Sequence, residues 1–192
     1  MEPFRALLDL VLPRRCIVCG ERLNIRERHC CLGCLLDLPR TFYWTWEDNP
    51  MSLRFREASA LPEARAAALF FYRNGSGYEN ITRQLKYGYN QAAVIAAELA
   101  RALGAPLAAR ALVRVRRTRT QTAVAVDAKA ANVAGAFRTA RRFRRAAPPR
   151  HILLVDDVFT TGATLGEAAR TLRAALGEAP VISAVSLACI AK

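Results

Sequence analysis

The sequence predicts an α/β protein in which a parallel sheet is flanked by helices and a small zinc-binding module lies at the N-terminal end. Ile152 to Val155 form a run of four apolar residues, a pattern typical of a strand buried on both faces of a parallel sheet. From Glu63 onward, strand-like and helix-like patterns alternate, as they do in α/β folds. Five of the six cysteines lie between residues 16 and 34. A chain of 192 residues can form one core and one small appendage.

These patterns divide the chain into three parts. We predict a helix and a zinc ribbon or knuckle pair in residues 1–40, a connecting segment with two prolines in residues 41–62, and the main domain in residues 63–192. In the main domain, the patterns predict strands at 66–72, 111–116, 152–155 and 181–190, helices at 78–86, 90–103 and 163–176, and a loop at the arginine run before Pro148.

The cysteines form two CxxC pairs separated by eleven residues: Cys16 with Cys19, and Cys31 with Cys34. Two such pairs can place four thiolates about 2.3 Å from one tetrahedral Zn²⁺. A redox role for a CxxC pair is one alternative, and a secreted disulfide framework, which would leave one thiol over, is a weaker one. His29 and Cys30 adjoin the second pair, so the identity of the fourth ligand stays open.

A second motif, ILLVDDVFTTGAT, occupies residues 152–164. Its acids, Asp156 and Asp157, follow the apolar run, and the small polar turn from Thr160 to Thr164 leads into a helix. Carboxylates accept hydrogen bonds from a sugar diol or hold a divalent cation. Backbone N–H groups at the start of a helix bind phosphate. A sugar phosphate therefore fits both halves of the motif.

This motif closely resembles the phosphoribosyl pyrophosphate motif of type I phosphoribosyltransferases. The resemblance implies that Asp156 and Asp157 hold the ribose, with Mg²⁺ bridging the ribose and the pyrophosphate. It assigns the 5′-phosphate to the turn residues Thr160, Thr161, Gly162, Ala163 and Thr164. A buried strand followed by an ordinary N-capped helix is the plain alternative. A response-regulator receiver domain also has paired aspartates after a strand, but the 28 residues beyond Thr164 are too few to complete its sheet.

More of the chain resembles the ComF family of competence-related, phosphoribosyltransferase-like proteins, which join an N-terminal zinc module to this motif. The likeness is carried by Phe70–Tyr87, Gly88–Ala93, Arg117–Thr122 and Asn132–Phe137. It implies a type I phosphoribosyltransferase-like sheet, a role associated with competence and DNA uptake, and binding of phosphoribosyl pyrophosphate or a nucleotide 5′-phosphate.

One departure from the family lies in the middle of the chain. In this sequence Lys86-Tyr87 is followed directly by Gly88. Members of the family have a segment between these two positions that contains a Val-Pro-Val-Pro strand end, and this sequence has no Val-Pro-Val-Pro. The comparison implies an internal deletion and an incomplete sheet, so whether the protein catalyses phosphoribosyl transfer stays undecided. Neither His29 in the zinc module nor His151 before the buried strand is a convincing general base. A further alternative is that the chain is a degraded, non-functional copy of such a protein.

The formal net charge is +13, and most of the basic residues are arginines. Two clusters stand out: Arg110, Arg114, Arg116, Arg117 and Arg119, and then Arg138, Arg141, Arg142, Arg144, Arg145 and Arg150. Such clusters bind polyanions, or they are solvated faces of an arginine-rich composition. The aromatic run Phe42–Trp46 can stack on bases or pack the module onto the main domain. The alternative function is therefore a non-catalytic, zinc-containing protein that binds single-stranded DNA.

The location that the sequence predicts is the cytoplasm. The longest apolar run, Ala66–Tyr72, is much shorter than the roughly 18 residues of a membrane span. Met1–Pro13 lacks the basic start and long apolar centre of an export signal. We therefore expect no membrane span, and reduced thiols that are available for zinc. Cys189 is expected to be a small buried apolar residue.

Overall fold

The computed structural model describes residues 13–73, 75–84, 90–115, 133–145 and 147–191. Its helices are α1 (Leu32–Leu36), α2 (Pro50–Ser59), α3 (Glu79–Gln84), α4 (Gln91–Leu103), α5 (Arg141–Arg145) and α6 (Ala163–Leu176), with a 3₁₀ turn at Tyr43–Thr45. Its strands are β1 (Arg65–Tyr72), β2 (Leu112–Arg114), β3 (Phe137–Thr139), β4 (His151–Phe159) and β5 (Val181–Ile190). Within these ranges no helix has both the length and the apolar character needed to cross a membrane.

A parallel three-stranded sheet in the order β1-β5-β4 forms the centre of the protein, which confirms the predicted α/β class. The middle strand is β5, whose residues are those predicted from the apolar pattern. In the register of β4 with β5, Asp156 lies beside Ser186 and Val155 lies beside Val185. Ser186 is almost fully buried, so Asp156 stands next to the interior of the sheet.

Helices α2 and α6 pack against each other and against the sheet. Together they form the hydrophobic core, whose members include Met51, Phe55, Phe159, Leu165, Ala169, Leu172, Ile182 and Cys189. Cys189 is fully buried, as the sequence predicts. The loop between β4 and α6 is therefore flanked by core residues on both sides, Phe159 and Leu165.

Helix α2 lies in the segment 41–62, where the sequence analysis predicted no helix. Pro50 was read as a break, but it occupies the first turn of α2, where a missing N–H removes no intrahelical hydrogen bond. The side chain of Asn49 caps the helix by accepting a first-turn amide at 2.8 Å. Because Met51 and Phe55 are fully buried, this segment contributes to the core as well as connecting the zinc module to the sheet.

A two-stranded antiparallel sheet, formed by β2 and β3, packs against α6. The hydroxyl of Thr139 donates to the carbonyl of Thr171 at 3.3 Å. Strand β2 is shorter than predicted, and β3 was not predicted. The loop predicted at the arginine run is wrong, since α5 occupies it. Arginine is a good helix former, and Phe143 anchors the short helix on the core.

The N-terminal module packs onto the outer edge of β1. The amide of Phe71 donates to the carbonyl of Pro39 at 2.8 Å. The hydroxyl of Tyr78 donates to the carbonyl of Cys34 at 3.1 Å. The ring of Tyr43 meets that of Phe71 edge-on, with 5.6 Å between the ring centroids. Tyr43 is buried, so this member of the aromatic run packs the module onto the sheet.

Candidate functional site

The four cysteines of the two CxxC pairs converge on one point. The sulfur atoms of Cys16, Cys19, Cys31 and Cys34 all lie within 4.8 Å of one another. The Cys19 and Cys31 sulfurs are 3.7 Å apart, close to the roughly 3.8 Å expected between ligands of a tetrahedral Zn²⁺ with Zn–S bonds of about 2.3 Å. Four thiolate donors in this arrangement fit a structural zinc ion.

Backbone amides support this cluster. In the first pair, the amide of Gly20 donates to the carbonyl of Cys16 at 2.9 Å, which closes the tight turn. Gly20 has a φ of +78°, a conformation that glycine adopts without strain. The amide of Cys31 donates to the Cys16 sulfur and that of Cys34 to the Cys31 sulfur, both at 3.4 Å. Hydrogen bonds of this kind to the ligand atoms orient metal ligands.

The titration of the thiols also suits a cation. Burial opposes ionisation of Cys16, but backbone N–H donors outweigh it and lower its pKa to about 6. Burial and the neighbouring sulfurs raise the pKa of Cys34 far above its ordinary value. Without a cation, the negative charge of an ionised Cys16 opposes ionisation of Cys34. A divalent metal would remove that conflict.

The two other candidate ligands, His29 and Cys30, are not members of this cluster. Among the described residues, the group that could hold a metal consists of the four CxxC cysteines and includes neither His29 nor Cys30. The backbone carbonyl of His29 accepts the amide of Ile17 at 3.0 Å, which joins the two halves of the module. Cys30 is partly buried, and burial raises its thiol pKa.

The second candidate site surrounds the end of β4. This strand continues through Phe159, so Asp156 and Asp157 lie within it. The prediction that the two acids follow the strand is therefore wrong. One oxygen of Asp156 accepts the amide of Asp157 at 2.9 Å, and one oxygen of Asp157 accepts the amide of Val158 at 2.8 Å. Pairing with β5 extends the strand beyond the apolar run that defined its predicted end.

Asp156 lies in an environment that favours its protonated form. Burial, and then the charge of Asp157, raise the pKa of Asp156 to about 7. A bound cation would lower the free energy of the doubly ionised pair, and a sugar hydroxyl could donate to either oxygen. Both ligands suit a carboxylate pair of this kind.

The loop between β4 and α6 has backbone donors that find no partner among the described residues. Gly162 is the N-cap of α6, with a φ of +83°, and no side chain caps the helix. The amides of Thr161 and Gly162 have no acceptor in the part of the chain that the structure describes. The amide of Ala163 makes only a long contact, 3.4 Å, to the hydroxyl of Thr161. By contrast, asparagine side chains cap α2 and α4. The start of α6 thus presents backbone donors that no described residue satisfies well, at the positive end of a 14-residue helix.

Two glycines hold this loop tightly against α2. A Cβ atom on Gly162 would lie 2.8 Å from the ring of Phe159, and one on Gly166 would lie 2.6 Å from the backbone oxygen of Ala58. Neither separation is possible without movement. The glycines therefore allow the close packing that fixes where the amides point.

Two contributors to this region were not identified from the sequence. The guanidinium of Arg54, on α2, donates to the carbonyls of Thr160 and Ile190. The carboxylate of Glu167, on α6, accepts the amide of Gly135 at 2.7 Å. Each contact joins residues more than thirty positions apart in the sequence, and no local pattern in the sequence indicates it.

Other predicted features lie away from the loop or outside the described residues. His151 begins β4, about 17 Å along the strand from Asp156, and its ring lies 2.9 Å from the hydroxyl of Ser183. His151 therefore lies at the other end of β4 from the two acids. Residues 85–89, which contain the predicted deletion junction, and Arg117–Thr122 lie outside the described residues.

Comparison with curated proteins supports the family resemblance. The chain is 38% identical to competence protein F of Haemophilus influenzae over 91 residues, which is 47% of this chain and 39% of that protein. It is 33% identical to DNA utilization protein YhgH of Escherichia coli K12 over 90 residues, or 47% of this chain and 38% of YhgH. The match to YhgH of Salmonella typhi has the same identity and extent. The chain thus spans about two fifths of the length of these relatives.

No family model matches the chain, and no solved structure matches it. Over about half of its length, the chain is therefore a homologue of competence protein F and DNA utilization protein YhgH, which confirms the ComF-type relationship that its motifs predicted.

Proposed function

We propose that this protein binds phosphoribosyl pyrophosphate or a nucleotide 5′-phosphate at residues 156–164 and serves competence or DNA uptake in the cytoplasm. The names of its curated relatives support the association with DNA. One observation carries the ligand assignment. An acidic pair on β4 is followed, after three residues, by a loop whose amides have no acceptor among the described residues and by a helix with no side-chain cap.

In this proposal, each half of the site recognises one part of the ligand. Asp156 and Asp157 accept hydrogen bonds from the two ribose hydroxyls, and they can hold Mg²⁺, which would also neutralise a pyrophosphate group. The amides of Thr161 to Thr164, with the threonine hydroxyls, bind the 5′-phosphate at the positive end of α6.

If the protein transfers phosphoribosyl groups, these contacts would also be catalytic. Fixing the ribose while positive charge develops at C1′ lowers the barrier through orientation and electrostatics, without a covalent nucleophile. The Val-Pro-Val-Pro strand end that the family carries on the pyrophosphate side is missing from this sequence. We therefore propose binding only, and a glycosyl-transfer assay would test transfer separately.

Isothermal titration calorimetry with phosphoribosyl pyrophosphate and Mg²⁺ tests the site. Asp156→Asn/Asp157→Asn removes both charges with little change in shape, and we expect binding to weaken by at least about tenfold, because charge-assisted hydrogen bonds are lost. Glu98→Gln is the matched control, because Glu98 is exposed on α4 and pairs with Arg101. Absence of heat from the wild-type protein would reject the ligand assignment.

The zinc module has a structural part in this proposal. Four cysteine sulfurs within 4.8 Å of one another can hold Zn²⁺. The module reaches the main domain through Pro39 and through the contact of Tyr78 with Cys34. Zinc would then order a segment that covers the edge of β1, and a covered edge does not pair with other chains.

A second candidate function, binding of single-stranded DNA, is favoured by an uneven distribution of charge. Residues 99–155 contain 12 arginines and Lys129 against a single acid, Asp127. The rest of the chain is nearly balanced, with 16 basic and 15 acidic residues. An arginine-rich genome would raise the arginine content everywhere. The concentration of charge in one segment therefore favours recognition of a polyanion.

The arginines of this segment are also available to a ligand. Seven of them are exposed and make no ion pair with any described residue: Arg110, Arg114, Arg138, Arg141, Arg142, Arg144 and Arg150. The rings of Phe42, Trp44 and Trp46 are about half exposed, so they could stack on bases.

Fluorescence anisotropy with a labelled oligonucleotide at several salt concentrations tests this second function. We expect Arg141→Gln/Arg142→Gln to weaken binding and to reduce the steepness of the salt dependence by about 0.7 for each lost phosphate contact. Arg26→Gln/Arg28→Gln changes the charge equally, on the exposed surface of the zinc module. Equal losses in the two variants would indicate a net-charge effect only, and a flat salt response would reject phosphate recognition.

A further inference from the structure

Arg54 makes contacts that extend across the sheet. Its guanidinium donates to the carbonyl of Thr160 at 3.1 Å and to that of Ile190 at 3.3 Å. A third hydrogen bond, at 3.2 Å, goes to the carbonyl of Pro50 in the preceding turn of α2. The same group lies over the ring of Phe159, 5.2 Å from its centroid. One half-buried side chain thus holds the ends of the neighbouring strands β4 and β5.

The hydrogen bond from Arg54 to the carbonyl of Thr160 also sets the direction of the next amide. The described chain contains no cis peptide bonds, and in a planar trans peptide the C=O and the following N–H point in opposite directions. The carbonyl of Thr160 faces Arg54, so the N–H of Thr161 points away from α2. This amide is one of those without an acceptor.

We infer that Arg54 is a positioning residue for the phosphate half of the site: it orients the peptide between Thr160 and Thr161 so that the Thr161 amide faces the bound anion. This inference rests on the proposed function for its ligand, but the orientation of the peptide is a property of the protein alone. Arg54 acts through the backbone and does not itself contact the phosphate.

Two substitutions separate orientation from charge. Arg54→Met keeps the length of the side chain and removes the guanidinium. Arg54→Lys keeps the charge but cannot donate to two carbonyls in the fork geometry of arginine. Arg56→Met is the matched control on the same helix, because Arg56 also bonds a backbone carbonyl, that of Ala64 at 2.9 Å, but not in the phosphate loop.

The first measurement needs no ligand. In ¹H–¹⁵N spectra, we expect both Arg54 variants to shift the Thr161 and Gly162 amide signals and to lower their backbone order parameters, whereas Arg56→Met leaves these signals in place. Unchanged Thr161 and Gly162 signals in a folded Arg54→Met protein would overturn the inference.

The second measurement is calorimetric titration with phosphoribosyl pyrophosphate and Mg²⁺. We expect affinity to fall about 10- to 100-fold in Arg54→Met and by a similar factor in Arg54→Lys, since an amide donor to a charged group is lost. Full affinity in Arg54→Lys would mean that charge alone matters and would overturn positioning. If the wild-type protein does not bind, the proposed function fails, while the spectra still decide whether Arg54 orients the loop.

Discussion

At the scale of single residues, spacing along the chain determined what the sequence could predict. The two CxxC pairs are separated by only eleven residues and the two acids are adjacent. The structure brings the four cysteines together. Arg54 was missed because its partner Thr160 lies 106 positions away. The pKa of Asp156 also depends on burial by the fold, which a local motif does not report.

The raised pKa of Asp156 predicts how stability depends on pH. The folded-state pKa of about 7 exceeds the ordinary value of 3.8, so the folded protein binds more protons between these values. The contribution of Asp156 to the free energy of unfolding should therefore be greatest below about pH 4, and it should fall as pH rises towards 7. Asp156→Asn should remove this loss and stabilise the ligand-free protein at pH 8 by on the order of 2 kcal/mol.

Urea denaturation at pH 5 and pH 8 measures the effect. Glu98→Gln, on exposed α4, should keep the wild-type difference between the two pH values. An Asp156→Asn protein that is less stable than the wild type at pH 8 would show that the ionised carboxylate is held by favourable contacts, contrary to our account.

At the scale of elements, regular patterns predicted α6 and β5 with the residues that the structure has. Helix α2 was missed because Pro50 and Pro62 were read as breaks, although Pro50 begins the helix. Helix α5 was missed because a run of arginines looks like a solvated loop when the anchoring of Phe143 is unknown. Both errors arose where tertiary packing outweighed the local pattern.

The packing of α6 on α2 predicts the effect of a methyl group at Gly166. Its Cβ would lie 2.6 Å from the carbonyl oxygen of Ala58, so Gly166→Ala should destabilise the protein by about 1–3 kcal/mol through overpacking. Gly33→Ala is the control, because its Cβ would meet nothing within 4 Å and Gly33 also lies in a helix. Thermal denaturation of both variants tests this. A Gly166→Ala protein as stable as the Gly33→Ala protein would mean that α2 and α6 are not tightly packed.

At the scale of the whole molecule, the parallel sheet, the zinc module and the basic segment are distinct parts. The sequence predicted the sheet class and the module. The aromatic run predicted one contact of the module with the main domain, since Tyr43 packs against Phe71. The contact of Tyr78 with Cys34 was not predicted, because it joins residues 44 positions apart. The incompleteness of the sheet stays a prediction, since residues 85–89 lie outside the described residues.

Zinc content tests the module. We expect one Zn²⁺ per chain by native mass spectrometry, and we expect Cys19→Ser to lose most of it, because a tetrahedral site lacks a ligand. Loss of zinc should also change the fluorescence of Trp44 and Trp46, which follow the module in the chain. Cys30→Ser should retain the metal, since Cys30 is not part of the cluster. Loss of zinc from the Cys30→Ser protein would indicate that Cys30 is one of the zinc ligands.

The most direct test of the central claim is a crystal structure of the protein with ribose 5-phosphate and Mg²⁺. We predict that the phosphate accepts hydrogen bonds from the amides of Thr161 to Thr164 at about 2.7–3.2 Å, with the ribose hydroxyls on Asp156 and Asp157. A phosphate bound elsewhere, for example on the arginines of residues 99–155, with the start of α6 empty, would contradict the assignment.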